Sequence, residues 1–268
     1  MCEELHDPLT DAARNDAYYG KRALYWSFNV VGKARAFRRL CRVFGVPTRG
    51  VRVLDVGFGA GAMLLQFGRG CQLTGLEFSS SAIQRLKWKA RHRGMQPLDL
   101  RMWDARSLGF PFDDAAFDVV VMSHVLEHFP DDRALLVEAR RVLAPGGILV
   151  LMVPTEDASW RDNSSHLRVY SAPSIRRLVQ AEGFTILGMQ ADHSVDNLFH
   201  LISTARWLNR IPTVRSRLLG ALSLTCSLVP AVERVGIFGP PRNLGLVALP
   251  RVTNTDGSGL GTPSAVST

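Results

Sequence analysis

Four residues apart, His124 and His128 enclose a glutamate in the run HVLEH. Two imidazoles and a carboxylate at this spacing form the H-x-x-E-H pattern of one class of zinc peptidases, and on a helix both rings would share a face. Imidazole also moves protons near neutral pH. A second constellation lies upstream. Asp55 precedes Gly57, Gly59 and Gly61 in LDVGFGAG, and Glu77 follows Gly57 by twenty residues in GLEF, beside Phe78. Glycines let a backbone turn tightly and let a ligand approach the main chain. A carboxylate at the place of Glu77 can accept both hydroxyls of a ribose. A third acid, Asp104 of Trp103-Asp104-Ala105, can accept from the exocyclic amine of an adenine.

The surrounding pattern says which elements carry these residues. VRVLDV, QLTGLEF, PLDLRMW, FDVVVMS and ILVLMVP read as five strands, the fourth apolar enough for burial on both faces. Between them GFGAGAML turns into a helix starting near Gly61, whose free N–H groups would face the crevice. SSSAIQRLKWKARHRG and DDRALLVEARRVL are further helices, the first with a serine cap and a glycine stop. APGG is a turn. A helix near 173–182, a strand at 184–190 (FTILGMQ) and a last strand at 244–250 (LGLVALP) follow. Alternating strands and helices imply a doubly wound, mostly parallel seven-stranded α/β sheet. Residues 1–48 form a helical preface, with one or two amphipathic helices over 21–45 broken near Gly32. Residues 49–250 form the main domain, with a helical insertion at 191–243, and 251–268 read as a disordered tail.

In such a sheet, site residues belong at strand ends. The glycine turn, Glu77, Asp104, Ser123 and His124 all fall there. Gly57, Gly59 and Ala62 also satisfy the dinucleotide fingerprint G-x-G-x-x-G/A, so a nicotinamide cofactor is a rival. Asp55 argues against it, because a pyrophosphate gains nothing from a neighbouring carboxylate, whereas a ligand carrying an ammonium group does. The peptidase pattern needs its helix in another scaffold and a further carboxylate ligand. Glu138 and Glu156 are the candidates, and neither has a metal context, so no metal site is expected.

The pieces VLDVGFGAG, GLEFS, DARSLGFPFDDAAFDVVVMSHVLEHFPD and RRVLAPGGILVLMVP, in this order and spacing, resemble the class I S-adenosylmethionine-dependent methyltransferases, especially the branch acting on small molecules, quinones and lipids. The resemblance covers about Val51 to Gln190. It implies that Gly57 and Gly59 approach the methionine part of S-adenosyl-L-methionine. It also implies that Glu77 holds the ribose, that Asp104 with Ala105 meets the adenine, and that Ser123 closes the pocket beside the sulfonium. Phe58 departs from the small or polar residue usual between the glycines. Transfer needs alignment and exclusion of water, and the acceptor's proton is assigned first to His124 and second to His166, with His128 and Tyr170 behind them.

Composition restrains the rest. There are 32 Lys+Arg against 24 Asp+Glu, a net charge of +8. That balance permits an anionic partner without choosing one. The basic residues are scattered, so nucleic acid is not expected. Cys2, Cys41, Cys71 and Cys226 form no pairs, which fits a reducing cytoplasm. The longest uncharged apolar run, Leu218 to Val232, is fifteen residues and contains Pro230. A bilayer needs about 20 residues, so 191–243 is read as a lid over a small-molecule or lipid-linked acceptor, or as a peripheral membrane contact through 198–236. A non-catalytic nucleoside-binding module is the remaining alternative, and the oligomeric state is open.

Overall fold

The computed structural model describes residues 28–68, 70–94, 98–104, 109–156, 166–192 and 243–251. The start of the preface, Ala105, most of the 191–243 insertion and the tail lie outside the described residues.

Seven strands form one sheet: β1 (Arg52–Val56), β2 (Gln72–Glu77), β3 (Asp99–Met102), β4 (Phe117–Ser123), β5 (Leu143–Pro154), β6 (Phe184–Asp192) and β7 (Asn243–Pro250). Their order is β3-β2-β1-β4-β5-β7-β6. β1 to β5 pair in parallel, and β7 runs antiparallel to both β5 and β6. The centre is β-branched and leucine-rich, with Val119, Val120, Val121, Leu149 and Val150 fully buried, as a sheet covered on both faces requires. Helices α1 (Phe28–Val43), α2 (Ser80–His92), α3 (Asp132–Val142) and α4 (Ala172–Ala181) supply the cover.

Local chemistry sets the helix ends. Ser79 caps α2 by accepting from Ala82 N–H at 3.1 Å, and Asp131 caps α3 through Ala134 N–H at 3.0 Å. Ser171 and Ser174 form a reciprocal capping box on α4, with Pro173 in its first turn. α1 is a single helix that runs through Gly32, so the expected break there does not occur. The stop is at Gly45, which takes a left-handed φ of 67° while Val46 N–H bonds Cys41 C=O at 2.9 Å. Phe37 and Leu40 of α1 are buried, and glycines admit the helix to the sheet: Leu40 packs over Gly245 of β7 and Phe44 over Gly188 of β6.

Two further expectations change. The glycine-rich run does not open into a helix; it continues as turns ending in one 3-10 turn at Leu64–Gln66. Gly57, Gly59 and Gly61 all sit at positive φ (64°, 48° and 70°), and Gly68 and Gly70 follow closely. So many glycines cannot repay the cost of nucleating an α-helix. APGG lies within the span of β5 and bulges from it: Phe117 pairs Leu143 and Val119 pairs Ile148, so the extra residues loop out with Gly146 at φ 75°.

The parallel strands end at Val56, Glu77, Met102, Ser123 and Pro154, and Asn243, the first residue of β7, lies opposite Pro154. These ends define the edge where a ligand can enter.

Candidate active site at the strand tips

The glycine turn is held from within. Gly57 N–H and Phe58 N–H both point to Leu76 C=O, at 2.8 and 3.4 Å, and Gly61 N–H bonds Phe58 C=O at 2.7 Å. Gly59 N–H donates to Glu77 Oε2 at 2.7 Å. The other oxygen of Glu77 accepts from Phe78 N–H at 2.9 Å and Ser79 N–H at 3.0 Å. Glu77 is only 2% exposed, so these charge-assisted bonds fix the turn and the entry to α2 together. The N–H groups of Gly57, Phe58, Gly59 and Gly61 are therefore spent on the protein itself. An anion-binding loop needs such donors open toward the ligand, and four of this turn's N–H groups face inward onto the protein instead.

Phe58 and Gly61 also find their reasons. The Phe58 ring lies over Gly75 of β2, where an added Cβ would come within 2.5 Å of it. A bulky residue inside the turn is thus accommodated by the missing side chain beneath it. Gly61 faces Leu86 of α2, and a Cβ there would meet Leu86 Cδ1 at 2.5 Å. Its smallness serves packing against α2. Gly57 packs against Val125, whose Cγ2 would stand 2.8 Å from an added Cβ. This contact joins the glycine turn to the loop after β4.

Asp55 is 1% exposed. It takes a backbone hydrogen bond from Leu64, yet its Oδ2 has no partner among the described residues. Burial, opposed by the Leu64 bond and reinforced by the charge of Glu77, pushes its carboxyl well above the ordinary range. An orphaned buried oxygen is costly unless a ligand or water completes it. A ligand carrying an ammonium group fits that atom. Phe78, half-buried, and exposed Asp104 follow β2 and β3 at the same edge. Trp103 before Asp104 is buried and stacked on Phe129, with ring centroids 5.4 Å apart. Ala105 lies outside the described residues.

Across the edge, Ser123 ends β4 opposite Met152. His124 then takes φ 57°, an uncommon conformation for a residue with a side chain, while its N–H bonds Met152 C=O at 2.8 Å. Only Leu126–His128 form a 3-10 turn, so HVLEH is a loop and its two rings share no helical face. The peptidase geometry is absent. Instead His124 Nδ1 meets Glu127 Oε1 at 3.1 Å, with Glu127 fully buried. Burial, helped by the charge of Lys33 on α1, lowers the pKa of His124. Burial is the largest influence on Glu127 and acts to raise it, but the hydrogen bond from His124 together with the charges of His124 and His128 holds the carboxylate below its usual range. The carboxylate thus takes Nδ1–H, and Nε2 of the neutral ring, which is buried and without a partner among the described residues, carries the lone pair.

His166 joins this group from the segment after β5. Leu167 N–H bonds Glu127 C=O at 2.8 Å, and the His128 and His166 rings stand 5.0 Å apart. Burial brings His166 down to about 4. Tyr170 does not join: its hydroxyl donates to Asp132 Oδ2 at 2.9 Å, the carboxylate that also pairs with Arg168. Glu138 is likewise structural, accepting from Phe110 N–H and Arg141. Sequence reasoning passed over Asn243, which is fully buried at the same edge with both side-chain atoms unpartnered among the described residues. No signal in GPPRNLGL marks it, because only the antiparallel insertion of β7 brings it beside Pro154.

Comparison with known proteins agrees with this geometry. Residues 54–151 match the family described as Methyltransferase domain. A phosphatidylethanolamine N-methyltransferase of Cereibacter sphaeroides is 34% identical over 136 residues, covering 50% of this chain and 64% of that one. A demethylmenaquinone methyltransferase of Thermus thermophilus is 36% identical over 104 residues, covering 38% of this chain and 46% of that one. The chain thus spans between about half and two thirds of the length of these relatives. Among solved structures, the cyclase SpnF superposes with a TM-score of 0.58 over 82% of each chain at 24% identity, a likeness of fold. Residues 54–151 of the chain thus carry a methyltransferase domain.

Proposed function

We propose that the protein transfers a methyl group from S-adenosyl-L-methionine to a small-molecule or lipid-like acceptor. The observation that carries this reading is the gathering of unpartnered buried polar atoms at one sheet edge: Asp55 Oδ2, His124 Nε2 and the Asn243 amide, among the described residues. Phosphatidylethanolamine and demethylmenaquinone methyltransferases, the relatives above, support a lipid-like acceptor by their names. The nicotinamide reading is not favoured. Its usual sheet is parallel in the order 3-2-1-4-5-6, whereas β7 here is inserted antiparallel between β5 and β6. The N–H groups of Gly57, Phe58, Gly59 and Gly61 are also bonded inward, where a pyrophosphate cradle would aim its donors at the ligand.

In this reading Asp55 takes the ammonium group of the methionine portion, directly or through water. Gly57 and Gly59 let that portion lie along the backbone. Glu77 offers its remaining acceptor capacity to the ribose while holding the turn. Phe78 and Asp104, with Ala105, flank the adenine, and Ser123 stands beside the reacting group. When bound, the cofactor supplies an electrophilic methyl on a sulfonium. His124 Nε2 accepts a hydrogen bond from the acceptor's hydroxyl or amine, orienting it and offering a lone pair for its proton. His166 stands second in that role.

Most of the segment read as a lid, 191–243, and all of the span read as a membrane contact, 198–236, lie outside the described residues, and no described helix is long and apolar enough to cross a membrane. The reading is tested by calorimetric titration of the full chain with S-adenosylhomocysteine and with NADH, followed by assay of labelled methyl transfer into lipid and quinone extracts. Binding of the homocysteine and label in a product support it. Binding of NADH alone would overturn it.

A further inference from the structure

HVLEH alone lacks a metal geometry, but His166 arrives from forty residues downstream and changes the chemistry of the cluster. We propose that Glu127, His128 and His166 bind a first-row divalent transition-metal ion at the C-terminal edge of β4. One ligand atom from each residue lies within 4.8 Å of the others. Two backbone features hold them there. His128 N–H bonds Val125 C=O at 3.0 Å within the 3-10 turn, and Leu167 N–H ties the segment bearing His166 to Glu127 C=O.

The donor set points to a cation. Glu127 is 0% exposed; its Oε1 is taken by His124, and its Oε2 has no partner among the described residues. A buried carboxylate oxygen without a hydrogen-bond partner is costly, and a metal ion between Oε2 and the two rings satisfies it. Two imidazoles and one carboxylate suit zinc or ferrous iron better than magnesium or calcium, which prefer all-oxygen shells. His124, donating to the other carboxylate oxygen, has the form of the outer hydrogen bond that orients a metal ligand.

The dimensions permit the site. Ligand atoms about 2.0–2.2 Å from a tetrahedral zinc stand about 3.3 Å from one another. Closing from 4.8 Å therefore asks for a shift of up to about 1.5 Å, within reach of ring rotation by half-buried His128 and His166. Three protein ligands leave one coordination position open, the arrangement of zinc that meets a substrate oxygen rather than one that only staples a fold.

The test titrates the metal-stripped full chain with Zn²⁺ by calorimetry and with Co²⁺ by visible absorption, without any methyl donor. One equivalent should bind, and His128→Gln and His166→Gln should each weaken binding at least about 100-fold, with melting temperature and S-adenosylhomocysteine affinity recorded on the same samples. Retained affinity in folded His128→Gln, or no stoichiometric uptake by the parent chain, overturns the site. Should His166→Gln unfold, His128→Gln decides by the same criterion. Because the titration needs no turnover, its failure leaves the methyl-transfer reading standing, and failure of methyl transfer leaves the metal result intact.

Discussion

The crevice has two sides of different construction. On the side of β1, β2 and β3, residues close in sequence make the site. Asp55, the glycine turn, Glu77 and Ser79 fall within one βαβ-like stretch, and the turn's hydrogen bonds run between neighbouring strand ends. On the side of β4, β5 and β7, distant segments converge: His124 and Glu127 after β4, His166 after β5, Lys33 on α1 and Asn243 at the start of β7. Among the described residues, the first side leaves one buried carboxylate oxygen, Asp55 Oδ2, without a partner. The second retains several buried polar atoms without partners among the described residues. A side that recognises the same nucleoside in every member can be preformed, whereas one that meets a variable acceptor keeps its polar groups open.

This contrast can be broken by mutation. The largest effect is expected at His124. His124→Asn keeps a residue that tolerates positive φ but removes Nε2, so turnover should fall about 100-fold while S-adenosylhomocysteine affinity stays unchanged. A matching loss of cofactor affinity would mean the two sides are one unit.

Glu77→Gln should strike the other side. It replaces a carboxylate oxygen that accepts from Gly59 N–H, and hydrogen bonds to charged groups contribute about 1.5–3 kcal/mol. Cofactor affinity and melting temperature should drop together, because the same atom holds the turn. Affinity loss without a stability change would restrict Glu77 to ligand binding.

Asp55→Asn separates stability from binding. The folded-state pKa of Asp55 is raised, so its ionised form opposes folding: stability is fullest below the unfolded pKa, near 3.8, and is lost as pH rises toward the folded value. At neutral pH the asparagine variant should melt higher than the parent and bind the cofactor about 10-fold more weakly, a ratio worth about 1.4 kcal/mol. The difference in melting should shrink as pH approaches 4. Thermal scans from pH 4 to 8 check the sign.

The smallest effect is expected at the opposite sheet edge. Arg52 pairs with Asp118 at 2.7 Å, both partly exposed. Arg52→Ala should lower the melting temperature only slightly, as for an exposed pair, and leave binding and turnover unaltered. A larger loss of activity would show that the edge remote from the crevice contributes to it.

The legibility of the sequence follows the same division. β1 to β5, α2 and α3 are written in local periodicity and caps, and the residues of the nucleoside side follow from strand ends. The helix expected after Gly61 does not form, because the glycines that suggest ligand access also impose repeated left-handed backbone at Gly57, Gly59 and Gly61. HVLEH raises a metal question that the run by itself answers negatively, for want of the peptidase scaffold and a further carboxylate with metal context; the proposed site needs His166, which lies outside the run.

The sequence by itself determined the strand and helix alternation, the seven-strand sheet and the identity of the acids at its tips, because hydrophobic period and turn residues act over a few positions. Only the tertiary structure decided that the glycine turn faces its donors inward, that Glu77 fastens it, and that His124, Glu127, His128, His166 and Asn243 share one edge. Those relations depend on strand order and on which buried atoms are left unpaired, and both arise from contacts between residues far apart in the chain.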